Sequence, residues 1–402
     1  MGFVISAIHK LSKLSIFLLL IAVIPGIPPD GEFEAYSIPP SVPLEGSLAV
    51  NSRLNGAEKL FEDVIHGPED IQVHNGEIYT TLHGGHVVKI VGNKIQPVAK
   101  FGQKCEGFHE EAKCGRPLGL AFDKKNQMYV ADAYYGIFQV DLATGKSKNL
   151  VSVNDTIEGK KPMIPNSVAV DNTGAIFWTD SSTSHYLHDG VFLALLNGNG
   201  RLLKYDPSSK TNKVLLDKLH FSNGVALSED GAFLLISETF NFRVLKYHLK
   251  GPKAGQSEVF VDRLPGCPDN IHRDGRGGFV LSLVLPRDMD HPSMVERLAP
   301  YPLVRKLLAR LMYLGQRAVS LLRDLYPHEV LKKTAHLIGH FESLPSPSVK
   351  RTTVLLLTKE GKISRSLHAT DGLLGVSDFV EHDGHYYLGS PFNTYVARVK
   401  AT

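Results

Sequence analysis

Glu69, Asn166, Asn223 and the pair Asp269 and Asn270 all stand at the last positions before an apolar, strand-like segment. Their settings are Gly67-Pro68-Glu69-Asp70-Ile71, Pro165-Asn166-Ser167-Val168, Ser222-Asn223-Gly224-Val225 and Pro268-Asp269-Asn270-Ile271. Glu69 and Asp269 would neutralise a dication, and the amide oxygens of Asn166, Asn223 and Asn270 would add neutral donors. An all-oxygen set without Cys or His favours calcium over zinc or copper. Calcium takes about 6 to 8 oxygens, so water or a substrate would complete the shell. Taken singly, each residue is more often an Asx turn leading into a strand. Their common phase is what singles them out.

Such a site needs elements that carry separate chain segments to one point. A turn signal recurs six times, at Asn75-Gly76, Lys125-Asn126, Thr173-Gly174, Asp230-Gly231, Asp274-Gly275 and Asp383-Gly384. Each lies between two short runs of β-branched, aromatic and Leu residues, such as Val168-Ala169-Val170 and Ile176-Phe177-Trp178, which is hairpin chemistry. The first intervals are 50, 48, 57 and 44 residues. A period near 50 with four short strands per unit predicts propeller blades. Equal phase would then send the oxygens to the central axis.

The last interval is 109 residues, about twice the period. Between Pro286 and Pro345 the pattern turns helical, with Val304, Leu307, Leu308, Leu311, Leu314, Ala318, Leu322 and Leu325 at three- and four-residue steps. Arg305, Lys306, Arg310, Arg317 and Arg323 fall on other faces. The expected fold is all-β: a six-bladed propeller with a helical insertion in blade five and an N-terminal membrane anchor helix. The expected boundaries are 1–30 for a cytoplasmic stub and signal anchor, 31–56 for a linker, and 57–402 for the propeller, with the insertion at 286–345. Amphipathic stripes usually face a core, so this one is expected to pack on the propeller. A lid over the axis and a basic surface resting on a membrane are the other readings.

The 402 residues, 43% hydrophobic and 21% charged, suit one large globular domain, and a net charge of +3 carries no footprint for nucleic acid. Leu14 to Ile24 is an uncharged apolar run behind Lys10 and Lys13 and ahead of Pro25, Gly26, Pro28 and Pro29. As a signal anchor it makes the chain a single-pass type II membrane protein, and as a cleaved signal peptide it makes it secreted. Either way the domain lies outside the cytosol, in the lumen or at the cell surface. Cys105 and Cys114 then suit one disulfide around a small loop, with Cys267 left over. Asn154-Asp155-Thr156 is a glycosylation sequon. His185 and His188 follow the second strand of blade three, where they serve either as proton carriers over the site or, more commonly, as solvated loop residues. No Gly-x-Ser-x-Gly elbow is present.

Longer motifs resemble the strictosidine synthase-like branch of the calcium-dependent phosphotriesterase superfamily. They include KFGQKCEGFHEEAKCGRPLG from Lys100, FSNGVALSEDG from Phe221, SETFNFRVLKY from Ser237, CPDNIHRD from Cys267 and EHDGHYYLGSPF from Glu381. The resemblance implies a six-bladed propeller, an amino-terminal anchor and arylesterase-type hydrolysis of small ester or lactone substrates. It also implies calcium held by Glu69, Asn166, Asn223, Asp269 and Asn270. The ion would polarise an ester carbonyl, and Asp269 would activate water or attack directly. Two departures stand out. Ser377 occupies the place of a strictosidine synthase Glu, which argues against Pictet-Spengler condensation. Leu118 replaces a paraoxonase His. A binding protein with structural calcium is the alternative reading.

Overall fold

A computed structural model describes residues 2–344, 347 and 349–402. The chain divides into two compact units. One comprises Pro39–Leu187, Gly198–Pro292 and Pro345–Thr402, and the other Met1–Ile38, His188–Asn197 and Ser293–Leu344.

The larger unit consists of six four-stranded antiparallel sheets. Their first strands are Ile71–His74, Pro117–Phe122, Pro165–Val170, Ser222–Leu227, Gly266–Arg273 and Asp378–His382. Each touches the first strand of the next sheet, and the sixth touches the first, so the sheets close into a six-bladed propeller. Every predicted turn joins the first and second strands of a blade. At Asn75-Gly76 both residues have positive φ, 52° and 76°, as a two-residue type I′ hairpin requires. Glu58–Leu60 pairs with the last strand, Val396–Lys400, so the sixth blade joins both ends of the unit and closes the ring.

The apolar core lies between blades. Tyr129, Ala131 and Ile137 of blade two pack with Val168, Ile176 and Trp178 of blade three, and Val354 and Leu367 of blade five pack with Phe379 and Leu388 of blade six. Alternate residues of each strand therefore serve alternate interfaces, which is why both faces read as hydrophobic. The segment expected as a linker is ordered from Pro39 onward. Leu54 is buried, its N–H donates to the His368 carbonyl, and the Asn51 carboxamide bonds to the backbone of Ser366 and His368.

His368 is buried between the Thr353 and Ser366 hydroxyls, each 3.0 Å from a ring nitrogen. Burial and the nearby Arg351 push its pKa down to about 4 from 6.5. The unfolded chain therefore takes up a proton below pH 6.5 that the native state refuses until about 4, and stability falls with pH across that window. His368→Gln should flatten the slope of the melting temperature against pH between those values at saturating calcium. Superimposable slopes would clear His368 of the effect.

The smaller unit is helical. The insertion interrupts blade five between Phe279–Pro286 and Thr352–Leu357, as expected, and contains helices Met294–Leu298, Pro302–Leu325 and Glu329–Leu337. Its expected boundary at Pro345 lies outside the described residues. The N-terminal helix Gly2–Val23 and the short helix Gly190–Leu195 belong to the same unit. Among the described residues no helix is long and apolar enough to cross a membrane.

The stripe of the long helix corrects the sequence-based expectation. Val304, Leu308, Leu311, Leu314, Leu322 and Leu325 are exposed, whereas Arg305, Ala309 and Arg310 are buried. The reason is hydrogen bonding. Arg305 donates to the carbonyls of Leu195 and Glu34 and lies over the Tyr36 ring, while Arg310 Nη1 donates to the carbonyls of Ile21, Ala22 and Ile24 at 2.7–2.9 Å. Carbonyls at a helix C-terminus lack intrahelical donors, and a guanidinium satisfies several at once.

Candidate metal centre

The residues predicted to bind metal stand where the inner ladders break. Register shifts fall between Pro165 and Val168, Ser222 and Val225, and Pro268 and Ile271, so Asn166, Asn223, Asp269 and Asn270 all sit in bulges. A bulge releases a residue from its partner strand and re-aims its side chain. Glu69 lies just ahead of Ile71, the first residue of its strand. Glycines bring the segments together: a Cβ on Gly119 would lie 2.6 Å from the Asn166 carbonyl oxygen, and one on Gly224 2.6 Å from that of Asp269.

Each carboxamide is held by its nitrogen. Asn166 donates to Ser181 Oγ at 3.0 Å, Asn223 to Thr239 Oγ1 at 3.3 Å, and Asn270 to Glu69 Oε1 at 3.0 Å. The hydroxyls pass their own protons to the next blade, Ser181 to the Ser222 carbonyl and Thr239 to that of Pro268. Ser377 donates to the Glu69 carbonyl at 2.7 Å, so the side chain in the synthase Glu position serves to fix Glu69. With the amide nitrogens committed, the oxygens are left over. Glu69 Oε2, Asn166 Oδ1, Asn223 Oδ1, Asp269 Oδ1 and Asn270 Oδ1 are all buried without a hydrogen-bond partner.

Leaving a buried acceptor unsatisfied costs about 1–3 kcal/mol, more for a charged group, and five together require a common explanation. A hard cation supplies one, because all five are oxygens and two belong to carboxylates. Burial, then the charges of Asp269 and Asp70, holds the Glu69 carboxyl well above the usual range; burial and Asp378 do the same to Asp269, which a hydrogen bond with Asn223 opposes. Two carboxylates this far from water favour their protonated forms unless positive charge compensates them.

Sequence reasoning missed the shell behind these five oxygens. Asp70 and Asp378 accept the N–H groups of Leu120 and Ile71, and His272 Nε2 lies 2.6 Å from Asp378 Oδ1. Burial opposes charge on His272, but Asp378 and Asp70 outweigh it and raise the ring to about 9. Asp70 follows Glu69 directly, and His272 and Asp378 occupy inner strands of blades five and six. Their signal was present in those strands as polar residues at positions otherwise apolar. Leu118 is buried, and its carbonyl accepts from Thr81 Oγ1.

The other predicted residues lie apart from the five oxygens in sequence and role. His185 pairs with Ser184, and His188 with Asp189. Cys105 and Cys114 form a disulfide. Cys267 is free and buried, and burial pushes its thiol up to about 12. Asn154 lies in an exposed turn.

Residues 166–252 match the family pattern described as strictosidine synthase, and residues 46–90 match strictosidine synthase-like, N-terminal. The adipocyte plasma membrane-associated protein Hemomucin of Drosophila melanogaster is 44% identical over all of this chain and 70% of its own length. The human adipocyte plasma membrane-associated protein is 34% identical over 89% of this chain and 80% of its own. Among solved structures, a gluconolactonase from Xanthomonas campestris superposes with a TM-score of 0.54 at 14% identity, covering 94% of this chain and 99% of that one. A luciferin-regenerating enzyme superposes with a TM-score of 0.50 at 12% identity over 86% of this chain. At such identities the shared feature is the fold. The chain belongs to the adipocyte plasma membrane-associated protein family of strictosidine synthase-like proteins.

Proposed function

We infer that this protein is a membrane-associated, calcium-dependent hydrolase of small esters or lactones. The observation that carries the reading is the set of five buried, unpartnered oxygens from blades one, three, four and five. Calcium bound there would polarise the substrate carbonyl and hold the charge that develops on its oxygen. Glu69 and Asp269 would supply the compensating negative charge, with Asn166, Asn223 and Asn270 as neutral donors. Asp269, with one oxygen unpartnered, takes a proton from the attacking water or attacks the carbonyl itself. Glu69 is tied by Asn270 and Ser377 and acts as a fixed ligand. The gluconolactonase with the same fold supports including lactones among the substrates to test, and the relatives' names support membrane association. A lumenal or extracellular site is supported by the disulfide, and such a setting makes Asn154 the expected glycan site.

A second reading, a surface binding protein with structural calcium, is favoured by Leu118 and Ser377, which cannot serve in the relatives' proton-transfer roles. One experiment separates the two. Phenyl acetate and a lactone panel are assayed with calcium and with chelator, beside a thermal shift on the same samples. Calcium-dependent turnover is the expected result. Calcium stabilisation without hydrolysis of any panel member would leave the binding reading standing and remove the enzymatic one.

A further inference from the structure

The long helix Pro302–Leu325 turns its leucines outward. Leu321 and Leu325 are 61% and 62% exposed, and Leu303, Val304, Leu308, Leu311 and Leu314 extend the stripe along the helix. The opposite side is occupied. Ala309 packs with Phe192 and Leu195, joined by Met312 and Tyr313, and Arg305 and Arg310 are buried among carbonyls. A contiguous apolar stripe of this length on a protein surface calls for a partner.

The neighbouring element indicates which one. The N-terminal helix packs against the long helix within the same unit, and Arg310 grips its last carbonyls. That helix also exposes apolar side chains around its circumference, Leu14, Ile16, Phe17, Leu19 and Leu20 among them. A surface that receives one helix must therefore lie alongside the other. Of the five basic residues of the long helix, Arg305 and Arg310 are buried among carbonyls and Arg323 pairs with Asp324, which leaves Lys306, half-buried, and Arg317, exposed, along one margin of the leucines. An apolar stripe with cations along its margin, beside a second apolar helix, describes a helix lying in the plane of a bilayer surface.

We propose that the leucine face of Pro302–Leu325 is a monotopic membrane seat, buried in the leaflet beside the N-terminal helix. The proposal rests on the membrane-associated reading above and adds a second attachment through the long helix.

The test uses the full chain in vesicles of phosphatidylcholine and phosphatidylserine, with tryptophan at Leu314→Trp or, separately, at Phe17→Trp. Trp178, the single native tryptophan, is buried in the propeller and gives a constant background. Both replaced positions are exposed, so neither change disturbs a core. Blue-shifted emission and quenching by brominated lipid at both positions is expected, with or without phosphatidylserine. Quenching at 17 with water-like emission at 314 would overturn the seat and leave N-terminal attachment intact. Quenching at neither would overturn both. Emission at 314 that is blue-shifted but untouched by brominated lipid would mean that protein covers the face, such as a second copy, and would also overturn the proposal.

Discussion

Metal-stripped protein is expected to gain thermal stability when calcium is added, and Asn223→Ala is expected to lose half or more of that gain at the same concentration. At a calcium concentration a hundred times the dissociation constant, linkage gives about 2.7 kcal/mol, roughly 4 °C in midpoint for a domain of a few hundred residues. Removing Asn223 deletes one of the five unpartnered oxygens and the donor that engages Thr239. By analogy with a hydrogen bond to a charged group, about 1.5–3 kcal/mol, the affinity should drop roughly 10- to 100-fold. The pH dependence has a definite sign. Glu69 and Asp269 have raised pKa values in the metal-free protein, so their contribution to its stability is present when they are protonated and is lost as pH rises. Calcium requires their charged forms. Binding should therefore release protons and weaken on acidification well above the ordinary carboxylate range. A titration in two buffers of different ionisation enthalpy measures the release. No midpoint shift, or a shift that Asn223→Ala leaves intact, would remove the ion from this site.

The blades were legible because a hairpin turn is a local event. Asn75-Gly76 and Asp383-Gly384 need positive φ within two residues, and the strands around them declare themselves within ten more. Glu69, Asn166, Asn223 and Asp269 were legible because repetition puts equivalent residues at equivalent phase. The shell that holds them was not. Ser181 reaches Ser222, Thr239 reaches Pro268, and Ser377 reaches Glu69 across blade boundaries, at separations of 41, 29 and 308 residues. Serine and threonine near the end of a strand carry no mark of that task. Aligning the second strands of blades one, three and four would have placed Thr81, Thr179 and Ser237 in register, with Ser181 and Thr239 two residues further on in blades three and four.

The insertion was read correctly as helix and incorrectly as to its face. A period of 3.6 identifies a stripe and says nothing of what covers it. Here the unpaired carbonyls of Leu195 and Ile21 outcompete leucine for the protein side, since a bare carbonyl away from water is costly and a guanidinium has five donors. Burial of Arg305 and Arg310 follows, and the leucines are turned outward.

Asp269→Asn is expected to lower kcat for the best ester or lactone by about 10²- to 10⁴-fold at saturating calcium, the range that a positioned general base contributes. Asparagine keeps an oxygen where Asp269 Oδ1 lies free but can neither take a proton nor attack. Calcium affinity should fall as well, because one of the two ligand carboxylates is gone, so turnover must be measured across a calcium titration and read at its plateau. Glu69→Gln provides the contrast. Glu69 is tied by Asn270 and held through its backbone by Ser377, which suits a ligand rather than a reactant. Its variant should need more calcium and then recover kcat to within a few-fold of the parent, a loss of ground-state binding rather than of transition-state stabilisation. If instead Asp269→Asn recovers full turnover on its plateau while Glu69→Gln does not, the roles are exchanged and Glu69 is the reacting carboxylate. If both recover, the carboxylates only hold the ion, and the proton must leave through a group outside the five oxygens.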